Sequence, residues 1–97
     1  MSKAGDLREL CDSYIFACLI DADAGVALYS DYNRASTHKK ICDLLELSYL
    51  DEQLTEILGN LDKLGVPKKA PDSEEWERIS GQYGRKLYDK ITQIYPA

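Results

Sequence analysis

Apolar residues recur at spacings of three and four along most of this 97-residue chain, and this period constrains its fold more than any other feature. The first apolar stripe occupies positions 7, 10, 11, 14, 15, 18, 19 and 22. Because an α-helix has 3.6 residues per turn, these positions lie on one helix face. We predict a helix from about residue 4 to about residue 23 that ends near Gly25. Phe16 and Ala17 widen its apolar face, so we expect this helix to be central.

Two shorter stripes follow in the middle of the chain. Positions 41, 44 and 45 predict a helix that begins after a turn over 33–37, with Ser36 or Thr37 as its N-cap, and ends near Leu47. Ser48 is then expected to cap a third helix, whose apolar positions are 50, 54, 57, 58, 61 and 64. Gly65 is expected to stop that helix.

The last predicted helix follows a loop over 65–72 and reaches the end of the chain. Its apolar positions are 76, 79, 83, 87, 91 and 94, and Asp72 and Ser73 are its expected N-terminal caps. Gly81 and Gly84 lie inside it, where each costs about 1 kcal/mol relative to Ala. We expect these glycines to let a neighbouring helix approach closely, rather than to bend the helix.

Residues 25–34 allow two interpretations, a short helix or a strand. A short helix is favoured, because no partner strand is predicted elsewhere and a lone strand is not stable. The fold class is therefore all-α, a compact up-and-down bundle of four to five helices that forms one domain over residues 1–97.

The net charge and the length of the apolar run exclude some classes of partner. With 17 acidic against 12 basic residues, the net charge is −5, and nucleic acid is not an expected partner, since binding to phosphates needs excess Lys and Arg. The apolar run at 14–20 is much shorter than the roughly 20 residues of a membrane span, and acids flank it. Three cysteines, an odd number, are typical of a reducing compartment. We expect a soluble, cytoplasmic protein with no membrane partner.

Catalytic and metal-binding patterns are weak in this sequence. His38 is the only histidine and Cys42 lies four residues further, so the two could share a helix face as base and nucleophile. A solvated histidine explains His38 equally well, and all three cysteines lie among apolar residues, where cysteine packs as a small hydrophobe. A calcium loop counted from Asp21 fails, because Gly25 and Tyr32 stand where oxygen ligands are needed. We expect no enzyme activity, no metal and no cofactor.

Tyrosines and acids are the remaining signal. Seven tyrosines accompany one Phe and one Trp, and tyrosine offers a broad contact area with a polar tip. The predicted partner-binding residues are tyrosines near turns and a nearby group of acids: Tyr29, Tyr32, Tyr49, Asp51, Glu52 and Glu56. The competing interpretation is that the tyrosines fill the edge of the core and the acids only keep the protein in solution.

Three functional hypotheses follow from different classes. The first is an intracellular protein-binding module that covers a basic partner; immunity proteins against nuclease toxins and nuclease inhibitors that mimic nucleic acid have surfaces of this kind, a likeness of surface chemistry and not of family. The second is a homodimeric or scaffold subunit, in which Arg34, His38, Lys39 and Lys40 would form a second surface. The third, least favoured, is an enzyme or ligand-binding bundle built on His38 and Cys42.

Overall fold

The structure is a computed structural model that describes residues 3–22, 34–66 and 72–96. Within these ranges lie four α-helices and no strand: α1 (Lys3–Ala22), α2 (Arg34–Leu45), α3 (Glu52–Gly59) and α4 (Trp76–Ile94). Two 3₁₀ turns, Leu61–Leu64 and Ser73–Glu75, lie between α3 and α4. The prediction of an all-α bundle of four to five helices is confirmed. The predicted short helix over 25–34 lies outside the described residues, apart from Arg34, with which α2 begins.

Helix α1 is the centre of the bundle, as its wide apolar face predicts. It packs against α4 along much of its length and against α2. Burial of each large aliphatic side chain in this core stabilises the fold by about 1.5–3 kcal/mol. Fully buried side chains of α1, α2 and α4 meet in this core: Leu7, Cys11, Ile15, Leu19, Ile41, Cys42, Leu87 and Ile91. Phe16 extends this core by packing edge-on against Trp76, with ring centroids 5.9 Å apart.

The predicted start of α2 is wrong. The helix begins at Arg34, so Ser36 and Thr37 lie inside its first turns and do not precede it as N-caps. Arg34 and Ala35 are good helix formers, and they extend the helix upstream of the polar pair. It ends at Leu45, two residues before the predicted end, because Glu46 takes a left-handed conformation (φ 57°).

The predicted start of α3 is also wrong. Asp51, not Ser48, is the N-cap, and its Oδ2 accepts a hydrogen bond from the backbone N–H of Leu54 at 3.1 Å. Ser48 instead closes a turn, in which its Oγ accepts from the N–H of Leu50 at 3.2 Å. Leu50 therefore lies before the helix and does not belong to its buried stripe. The end of this region agrees better with prediction, since Gly65 (φ 89°) caps the 3₁₀ turn that follows α3.

The predicted N-caps of α4, Asp72 and Ser73, are wrong, because the helix begins at Trp76, about one turn later. Asp72 and Ser73 belong to the 3₁₀ turn ahead of the helix, where the carbonyl of Asp72 accepts from the N–H of Glu75 at 2.9 Å. Glu75 occupies the N-cap position of α4 and makes no side-chain capping bond. Glu74, Glu75 and Glu77 lie at or just before the first turn of α4, near the positive end of the helix dipole.

The two glycines of α4 have different environments. Gly84 is buried against α1, and a Cβ placed on it would lie 2.8 Å from the Cα of Asp12. Gly81 has no atom within 4 Å of such a Cβ, although its carbonyl accepts from Arg8 Nη2 at 2.8 Å. Close helix packing is therefore confirmed at Gly84 and is absent at Gly81.

Candidate partner-binding site

The turn between α2 and α3 places two large side chains in solvent. The turn is closed by a hydrogen bond from the N–H of Asp51 to the carbonyl of Ser48 at 3.0 Å. Leu50 is 81% exposed and Tyr49 is 49% exposed. A single exposed leucine is ordinary, but here two large apolar side chains adjoin each other at a fixed turn.

His38 holds the ring of Tyr49. The two rings stack with centroids 4.9 Å apart and planes at 29°. Burial lowers the pKa of His38 below its ordinary value of 6.5, so the imidazole is neutral at pH 7. Its Nε2 is buried and has no hydrogen-bond partner among the described residues. This stacking contact favours one orientation of the Tyr49 ring.

A groove of about 540 Å³ lies between this turn and α3. His38, Tyr49 and Leu50 line one side of it. The other side is formed by one stripe of α3, because positions three and four apart share a helix face. That stripe consists of Glu52, Thr55 and Glu56. Both glutamates are exposed, so the groove combines an apolar wall with two carboxylates.

Asp51 links the start of α3 to the end of the chain. Besides capping α3, its Oδ2 accepts a hydrogen bond from the hydroxyl of Tyr95, near the end of the chain. The bond from Tyr95 and then the bond from the N–H of Leu54 lower the pKa of Asp51. Burial, together with the negative charge of Asp51, raises the pKa of Tyr95 to about 12. The pair attaches the end of α4 to the start of α3 and thereby holds the stripe of acids in place.

The structure brings together three of the six predicted partner-binding residues. Tyr49, Glu52 and Glu56 line the groove, and Asp51 lies next to it with its carboxylate engaged by Tyr95. Tyr29 and Tyr32 lie outside the described residues.

Sequence reasoning missed three residues of the groove. The apolar spacing predicts Leu50 in the buried stripe of α3, and no pattern in the sequence indicates that Thr55 or the His38 ring belongs to the site. The turn signal at Ser48 could have identified Leu50, since a residue in a closed turn cannot also begin a helical stripe.

His38 and Cys42 lie in different environments. Cys42 is buried in the core, and burial followed by the charges of Asp51 and Asp43 raises the pKa of its thiol. A thiol that stays protonated at neutral pH is a weak nucleophile. The ring of His38 faces Tyr49 instead.

The described residues contain neither a grouping of metal ligands nor a helix suited to cross a membrane. Over 3–22, 34–66 and 72–96, no three His, Cys, Asp or Glu side chains are grouped so that they could hold a metal ion. The candidate calcium loop that starts at Asp21 lies mostly outside these ranges. None of the described helices combines the length and apolar character that a membrane crossing requires.

Comparison of the chain with protein-family models, with curated proteins and with solved structures finds no match.

Proposed function

We propose that this protein is a protein-binding module that covers a basic surface of an intracellular partner, in the manner of an inhibitor or immunity protein. The observation that carries the proposal is the groove in which exposed Tyr49 and Leu50 lie beside Glu52 and Glu56. Aromatic and apolar anchors next to charges of one sign are typical of protein-binding sites. None of the three cysteines forms a disulfide bond, in keeping with a reducing compartment such as the cytoplasm.

The two parts of the groove would act differently. Burial of Leu50 against a partner would contribute about 1.5–3 kcal/mol, and Tyr49 would add contact area with little loss of entropy because His38 already orients it. Glu52 and Glu56 would attract Lys and Arg of the partner and speed association, an effect that salt screens.

A second copy of the chain is the competing occupant of this face. In a twofold dimer centred on the groove, Glu52 and Glu56 of one copy would approach the same residues of the other. Like charges facing each other oppose association. A basic partner removes that repulsion, and for this reason we favour it over a homodimer or scaffold role.

The test compares two variants with equal loss of charge. The face variant carries Tyr49→Ala, Leu50→Ser, Glu52→Gln and Glu56→Gln. The control variant carries Glu74→Gln and Glu77→Gln, at exposed acids in and next to the first turn of α4. Each protein is immobilised on a resin and incubated with lysate of the native host. The resin is washed at low and at high salt, and the retained proteins are quantified by mass spectrometry.

The proposal expects one basic protein that wild type and the control variant retain at low salt and release at high salt. The face variant should retain at least about tenfold less of it, since interface anchors cost 1.4 kcal/mol or more when removed. Equal retention by the face variant would contradict the proposal. A salt-insensitive self-association of wild type, seen by light scattering and lost in the face variant, would instead establish the homodimer.

A further inference from the structure

A second groove, which we call the lysine groove, lies on the opposite side of Glu56 from Tyr49. It has a volume of about 350 Å³ and is bounded by α3, the 3₁₀ turn Leu61–Leu64 and the last turns of α4. Small-molecule sites have volumes of about 300–1,000 Å³, so this groove is large enough for a small ligand and too small for a folded partner.

The floor of the lysine groove is apolar. Ile57 and Leu64 are half-buried and pack against the core, so their outer faces form part of this floor. Ile94 lies in the last turn of α4 and is 41% exposed, although it is an isoleucine at a position of the helix's apolar stripe. An apolar tail placed on these three side chains would remove them from water.

Two lysines border this floor. Lys63 comes from the 3₁₀ turn and Lys90 from α4, so separate elements bring them to one groove. Neither forms a salt bridge with any described residue. Glu56 is the single acid among the residues that line the groove, in a chain where acids outnumber bases by 17 to 12. The local charge is therefore opposite in sign to that of the whole protein.

We propose that the lysine groove binds an aliphatic carboxylate, with its tail on Ile57, Leu64 and Ile94 and its carboxylate between Lys63 and Lys90. The amides of Asn60 and Gln53 also line the groove, and Asn60 donates one hydrogen bond to the carbonyl of Glu56 at 2.8 Å. The lysines are the only cationic groups in the lining, so they are the donors that favour a carboxylate. A simple phosphate would leave the apolar floor uncovered. The site is independent of the proposed partner and does not require it.

The probe is decanoate, titrated below the concentration at which it forms micelles and followed by calorimetry and by amide chemical shifts. We expect saturable 1:1 binding, with shift changes concentrated at Leu64, Lys90 and Ile94. Two reference compounds separate the parts of the ligand. Decyltrimethylammonium keeps the tail and reverses the charge, and butyrate keeps the carboxylate and shortens the tail; both should bind at least about tenfold more weakly.

Matched variants locate the site. Lys63→Gln with Lys90→Gln should weaken decanoate binding roughly tenfold, since both charge contacts with the carboxylate are lost. Lys39→Gln with Lys40→Gln removes the same charge from exposed positions of α2 and should leave binding unchanged. Circular dichroism confirms that each variant is folded. Absence of saturation, equal binding of decyltrimethylammonium, or equal loss in both double variants would each overturn the proposal.

Discussion

The contact between α1 and α4 can be tested with two glycines of one helix. In Gly84→Ala, the new Cβ would lie 2.8 Å from the Cα of Asp12, whereas carbon atoms in contact are normally 3.5–4.0 Å apart. The helices must therefore separate locally by about 0.7–1.2 Å. Because the clash is with backbone, rotation of a side chain cannot relieve it.

The size of the effect follows from two opposing contributions. Alanine stabilises a helix interior by about 1 kcal/mol relative to glycine. A gap of 0.5–1 Å forfeits a quarter to a half of the dispersion energy of the atoms that separate, and overpacked cores typically lose about 1–3 kcal/mol or more. The clash exceeds the gain, since Leu87 and Ile91 continue the same interface. We expect Gly84→Ala to lower the free energy of unfolding by up to about 2 kcal/mol, the difference between these two contributions.

Gly81→Ala is the matched control, with the opposite expected sign. Nothing lies within 4 Å of its Cβ, so only the helix-propensity gain of about 0.5–1 kcal/mol remains. Urea denaturation at constant m-value measures both changes, and thermal midpoints should move apart by roughly 4–8 °C per kcal/mol. Equal stabilisation by both substitutions would refute the close approach of α1 and α4 at Gly84.

Three further predictions concern the cap, the titrating groups and the thiols. Tyr95→Phe should lower the thermal midpoint, because it removes the hydroxyl bonded to Asp51 and loosens the end of α4; an unchanged midpoint would contradict that contact. The pKa of Asp51 is lowered, so Asp51 contributes stability that is present above pH 3.8 and is lost as the pH falls further. The pKa of His38 is also lowered, so the protein loses stability separately as the pH falls below 6.5. Urea midpoints measured against pH should show both losses, the first reduced in Tyr95→Phe and the second absent in His38→Gln. Burial raises the pKa of Cys11 to about 12 and also raises that of Cys42, so both thiols should resist alkylation by iodoacetamide at pH 8 until urea unfolds the protein, as peptide mapping would show.

The periodicity of the sequence was sufficient for the helices and for most of the core. Spacings of three and four identify α1 and α4 almost to their ends, because a helix that buries one face must repeat its apolar residues at the helical period. Burial of Cys11 and Cys42 also followed from their apolar neighbours. Helix starts were less predictable, since several polar residues near each start could serve as the cap and local sequence does not choose among them.

Tertiary structure decided how the residues of the two proposed binding surfaces are brought together. Leu50 has the spacing of a buried residue, yet the Ser48 turn exposes it, and the bond between Asp51 and Tyr95 joins residues 44 positions apart. The different environments of Gly81 and Gly84 likewise depend on where α1 crosses α4. Local sequence determines which face of a helix is apolar, but the neighbours of that face depend on how the helices pack, which is a property of the whole chain.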